Sequence, residues 1–192
     1  MSRIWRYVLV YDGGGAPCID GGVLTLCTCK PRIRSGAEVE DWVIGFMPKR
    51  VGIGRVAWAG CVHEVLSLGD YGERYPARRD AIYRRVGWHA DGREDLRHCG
   101  GPYHNSAKAM ATDVRGRCAL VFDPFWYWGG DAPEVPPELA NLAHYYVGQS
   151  TKGSTAEAIN QLRGWLSGWP PGIHGTPRVA VTKRHVRASA CR

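Results

Sequence analysis

Four short runs rich in β-branched and aromatic residues occupy the first third of the chain, each stopped by glycine or proline, and this punctuation constrains the fold most. Ile4 to Tyr11 ends at Asp12-Gly13-Gly14-Gly15, and Val23 to Thr28 ends at Lys30-Pro31, where a missing N–H interrupts a ladder. Asp41 to Met47 and Arg55 to Val62 follow, joined by the basic turn Lys49-Arg50-Val51-Gly52. A further strand, Cys118 to Phe122, leads into Pro124-Phe125-Trp126-Tyr127-Trp128-Gly129-Gly130. Together these runs predict an α+β chain whose strands form a curved, mostly antiparallel sheet or a small barrel.

Helices are expected to flank that sheet. Pro76 suits the first turn of a short helix reaching about Arg85. Pro136-Pro137-Glu138 opens another, with Leu139, Leu142 and Tyr146 at spacings of three and four. Ser154-Thr155-Ala156-Glu157 reads as a capping box before Ile159, Leu162, Trp165 and Leu166, and that helix ends near Gly168. Residues 86–105 hold glycine, histidine and charge with little periodicity and read as a long loop. The chain of 192 residues suits one compact domain over 1–178, with a basic strand or tail over 179–192.

Composition narrows the function classes. No apolar run approaches the roughly 18 residues of a membrane span. The opening Met1-Ser2-Arg3-Ile4-Trp5 lacks the pattern of a signal peptide, so a cytoplasmic location is expected. Seven irregularly spaced cysteines then read as reduced thiols rather than a disulfide framework. The net charge of +7 is carried by 20 Arg and 5 Lys. Guanidinium forks favour phosphates and base edges, although a GC-rich genome raises Arg and Gly in the same way. The Walker spacing, the dinucleotide fingerprint, the zinc-deaminase pattern and the G-x-S-x-G elbow are all absent.

Two stretches concentrate chemistry. Asp12, Thr25, Lys30, Arg32 and Arg34 lie at the ends of neighbouring strands, and an acid can activate water while a desolvated lysine acts as base or amine nucleophile. The aromatic block from Phe125 to Trp128 offers stacking surfaces for a base, or else a core corner with a Gly turn. His104 and Asp113 are available as proton-transfer partners. No metal or cofactor is called for.

Several of these residues fall in blocks that resemble a known family. Tyr11-Asp12-x-Gly14-x-Ala16-Pro17, Gly22-Val23-Leu24-Thr25-Leu26, Cys29-Lys30-Pro31-x-Ile33-Arg34 and Asp41-Trp42-Val43-x-Gly45 resemble the opening of the nucleotide-modification-associated domain, type two. Tyr83-Arg84, His104, Asp113 and the aromatic block with Pro133 resemble its later blocks in order. Cys18-Ile19-Asp20 departs from the family's usual Asn-Pro-Phe. A second likeness, through Val39 to Gly45 and Arg55 to Val62, is to PUA, ASCH and EVE barrels, which implies a PUA-like form for the barrel alternative.

The resemblance implies work on modified bases in DNA, hydroxymethylated or glycosylated. It leads to a base-flipping, DNA glycosylase-like hydrolase in anti-phage defence. A non-catalytic reader and an enzyme of base hypermodification are the alternatives. In this reading Asp12, Lys30, Asp113 and His104 are catalytic. Thr25, Arg32, Arg34, Trp42, Tyr83, Trp126, Tyr127 and Trp128 contact base or DNA.

Overall fold

The computed structural model describes residues 2–100 and 104–178; the expected tail over 179–192 lies outside the described residues. The chain is α+β, and its strands are mostly antiparallel. Its contacts gather into two compact units. One takes residues up to Gly13, Ala37–His63 and the described chain from Phe122; the other takes Gly14–Gly36 and Glu64–Val121. Among the described residues no helix is long and apolar enough to cross a membrane.

In the first unit the order is β8-β5-β4-β1-β9, from β1 (Ile4–Val8), β4 (Trp42–Phe46), β5 (from Val56), β8 (to Tyr127) and β9 (Gln149–Ser150). β1 and β4 pair in parallel, β4 and β5 antiparallel, and β10 (Gly172–Ile173) lies parallel to β8. The pleat puts Ile4, Trp42, Ile44 and Ala59 on one face, where they meet Leu139 and Leu142 and the Ile159, Leu162 and Leu166 stripe of α4 (Ala156–Leu166). Each such buried aliphatic side chain contributes roughly 1.5–3 kcal/mol. Gly45 is required by close approach, since a Cβ there would lie 2.2 Å from Trp58 Nε1, which donates to the Tyr7 hydroxyl at 2.9 Å.

In the second unit the order is β2-β3-β8-β5, from β2 (Cys18–Asp20), β3 (Val23–Leu26), the start of β8 (from Cys118) and the end of β5 (to Ser67). Among the described residues neither order closes on itself, so the sheet is open rather than a closed barrel. Helices α1 (Pro31–Gly36), α2 (Leu68–Arg74) and α3 (Ala107–Arg115) and the hairpin of β6 (Tyr83–Trp88) and β7 (Glu94–His98) complete this unit. Cys27, Leu68, Tyr71, Ile82, Tyr83 and Val121 share its core.

Several expectations are corrected. Residues 76–82 are turns, not a helix, and the strand β6 begins at Tyr83. Arg78 explains this locally: its guanidinium donates to the carbonyls of Cys18, Asp20 and Val23 and to the Thr25 hydroxyl, which ties the segment to a strand edge. Much of the expected loop over 86–105 is the β6–β7 hairpin, whose Val86 and Trp88 stay exposed, so no apolar alternation marks it. The segment Pro137–Leu142 is a 3-10 turn. Cys18, Cys27, Cys29, Cys61 and Cys118 are free thiols, whereas Cys99 is disulfide-bonded.

Candidate active site

The turn between β3 and α1 is built against ordinary backbone preference. Cys29 and Lys30 take φ of 55° and 42° although neither is glycine, and each such residue costs about 1–2 kcal/mol. Three interactions hold it. Asp113 Oδ1 accepts from the Cys29 amide at 2.7 Å, Arg34 Nε donates to the Cys29 carbonyl at 2.6 Å, and the Arg34 amide donates to the Lys30 carbonyl at 3.1 Å. The thiol of Cys29 is thereby presented half-buried, between a strand and a helix that opens on Pro31.

His104 faces that thiol. Its Nε2 lies 3.2 Å from Cys29 Sγ, and its Nδ1 donates to Asp113 Oδ2 at 2.5 Å. Asp113, fully buried on α3, also accepts from the Tyr83 hydroxyl at 3.0 Å. Hydrogen bonds to Asp113 and then Cys29 push His104 up to about 10, against the opposing effect of its own burial. The ring is therefore an imidazolium at neutral pH, a cation set against the sulfur. Thiol, imidazole and carboxylate stand in one hydrogen-bonded row, the order of groups found in thiol triads. His104 itself has a φ of 58°, so two members of the triad sit on left-handed backbone.

Arg34 is a strut for this arrangement. Its side chain is entirely buried, and besides Cys29 it donates to the carbonyls of Cys118 at 2.7 Å and Asp113 at 2.5 Å. Its Nη2 lies 3.9 Å from Asp113 Oδ1. Room for the guanidinium comes from Gly116, where a Cβ would lie 2.3 Å from Arg34 Cζ. Lys30 is half-buried beside the thiol, and burial lowers its amine.

The other residues singled out in the sequence occupy different places. Thr25 donates to Asp80 at 2.7 Å and accepts from Tyr71 and Arg78, in a buried network of the second unit. Arg32 is exposed. In the first unit Asp12 is buried and both its oxygens lie within 2.8 Å of the Tyr127 hydroxyl; burial raises its carboxyl. Asp12 and Lys30 belong to different units. Phe125, Trp126, Tyr127 and Trp128 are all buried: both faces of β8 are covered there, so an alternating strand hides all four rings. Trp126 stacks on Trp42 with centroids 6.2 Å apart, and Trp128 packs against Trp165, Trp169 and His174.

His104, Asp113, Tyr83 and Arg34 are legible as candidates in the sequence, whereas the Cys29 thiol is not. The available signal was a cysteine in a strand–turn–proline stretch with histidine and aspartate elsewhere in the chain. The model of the family described as nucleotide modification associated domain 2 matches residues 1–184. No curated protein and no solved structure matches the chain.

Proposed function

Since this chain belongs to the nucleotide modification associated domain 2 family, we propose that it is an enzyme acting on modified bases of DNA by covalent thiol catalysis at Cys29. The observation that carries this reading is the continuous hydrogen-bonded row of Cys29, His104 and Asp113. Family membership connects the chain to nucleotide modification; the row supplies a reaction class. The sulfur attacks an electrophilic carbon of the base substituent, an ester or amide carbonyl being the group such triads cleave. The C–O or C–N bond breaks, and His104 protonates the leaving oxygen or nitrogen. Water then cleaves the thioester, giving a carboxylate and restoring the thiol. A target base inside a duplex is flipped out for this, at a cost of a few kcal/mol.

Excision at the N-glycosidic bond, in defence against phages with modified DNA, assigns the chemistry to Asp12 and Lys30. It draws support from the raised carboxyl of Asp12 and the lowered amine of Lys30. The thiol row has the stronger support, because its groups are joined by hydrogen bonds to one another. The test is incubation with DNAs carrying different modified bases, followed by digestion to nucleosides and mass spectrometry. Loss of a base substituent that disappears in Cys29→Ala supports thiol catalysis. Abasic sites that persist in Cys29→Ala support excision, and intact but bound DNA supports a reader.

A further inference from the structure

The second unit contains a cavity of about 590 Å³ that the triad does not use. Its apolar wall is Leu96 of β7 with Ala111 and Val114 of α3, and Arg93, Arg115 and Arg117 stand around it. On a helix, positions 111, 114 and 115 share a face, while 113 points the opposite way. The same helix therefore presents Asp113 to the catalytic thiol on one side and this cavity on the other.

The charges at the cavity are unevenly satisfied. Arg93 is paired with Asp91 at 2.6 Å, and Glu94 is held by Arg85 at 2.9 Å and the Ser67 hydroxyl at 2.7 Å. Among the described residues Arg115 reaches the Thr112 hydroxyl, at 3.5 Å. Among the described residues neither Arg115 nor Arg117 has a carboxylate within ion-pair distance. Arg117 also takes a φ of 56°, a conformation that costs an arginine free energy, while its carbonyl is fixed by the Leu68 amide at 3.1 Å. An apolar wall flanked by two guanidinium groups that have no carboxylate partner among the described residues matches a planar base with an adjacent phosphate.

We infer that this cavity takes one nucleotide of a nucleic-acid strand, a neighbour of the nucleotide presented to Cys29. The inference rests on the reading that the chain works on nucleic acid, and it adds where the strand is gripped. α3 stands between the two places, so the nucleotide held here is not the one attacked. The strand must then continue past the reacting base, which separates this enzyme from one that works on free nucleotides.

The test uses the full chain carrying Cys29→Ala, so that no probe is consumed. A labelled single strand of about ten nucleotides and thymidine 5′-monophosphate serve as probes. Arg115→Ala/Arg117→Ala and, separately, Val114→Glu are added at exposed positions, and each must melt with the parent. Strand binding is expected to weaken about tenfold or more in both. In the arginine variant the log–log salt slope should also fall by about 0.7, for one phosphate contact on a single strand. Unchanged strand binding in both variants, or no binding to begin with, overturns the proposal. Monophosphate binding as tight as the strand's, lost in the same variants, overturns the strand assignment in favour of a free nucleotide. Failure of the thiol reading looks different: Cys29→Ala keeps turnover, while the arginine variants still lose the strand.

Discussion

Asp113→Asn separates the orienting role of the carboxylate from its bulk. Asparagine keeps an oxygen for the Cys29 amide, now accepted at 2.7 Å, but offers NH2 where the carboxylate accepts from His104 Nδ1. The ring must then accept at Nδ1, which moves its proton to Nε2. That nitrogen lies 3.2 Å from the sulfur, where the variant's neutral ring still donates a hydrogen bond but lacks the positive charge of the parent's imidazolium. The charge changes as well. At about pH 7.5 a ring raised to about 10 is charged in essentially every molecule; one near 6.5 is charged in about one in ten. The cation facing the thiol becomes about tenfold rarer, and reactivity that depends on it falls by about that factor or more.

Limited alkylation with iodoacetamide, read by peptide mass spectrometry, measures this directly. Cys61 and Cys118 serve as internal references, since burial raises both thiols. In the parent Cys29 should react first, and in Asp113→Asn its rate should fall about tenfold while the references hold. Equal alkylation of Cys29 in both proteins, with both folded, would refute the triad. A stability measurement provides a second check. The folded-state value of His104 lies above its unfolded one, so the stabilisation is complete below about pH 6.5 and is lost as pH rises through about 10. The gap in Tm between parent and variant should therefore be widest near pH 6 and close toward pH 10.

Three further outcomes follow from packing and burial. Arg34→Met strands three buried carbonyls and Asp113, and should lower the free energy of unfolding by about 3–5 kcal/mol in urea; Arg34→Lys should not restore it, lacking the fork that spans them. Gly45→Ala drives a methyl into Trp58 and should cost about 1–3 kcal/mol, with a shift in tryptophan fluorescence as the Tyr7 bond breaks. Because burial raises the Asp12 carboxyl, the stability it supports is present at low pH and declines as pH rises through its folded value, so the Tm of Asp12→Asn relative to the parent should climb as pH rises above about 4; a flat difference would mean Asp12 is not penalised by burial.

How much was legible in the chain depended on whether a segment's neighbours were encoded locally. The strands of the first unit were, because β-branched runs ending in glycine and proline carry their own boundaries. The final helix was too, yet its cap moved by one residue: Thr155 accepts from the Ala158 amide, while the Ser154 hydroxyl is taken by the Ile4 amide at 2.6 Å. A strand 150 positions away decided that, and no local motif could report it. The β6–β7 hairpin escaped notice because its outward side chains carry no period. The triad was half legible. His104 and Asp113 stood out by type, but their common partner lies 75 and 84 residues away and sits in a turn whose glycine-free left-handed backbone nothing in the composition announces.

Arg34 and Gly116 have a consequence for how this site can vary by mutation. The guanidinium fills the space that a side chain at 116 would need, so position 116 is not free to drift while the arginine stays. A substitution at 116 must be preceded by loss of the arginine, and losing the arginine first releases the turn that presents the sulfur. Descendants that keep the arginine must therefore keep glycine at 116, whereas those that lose the arginine leave 116 open to any side chain.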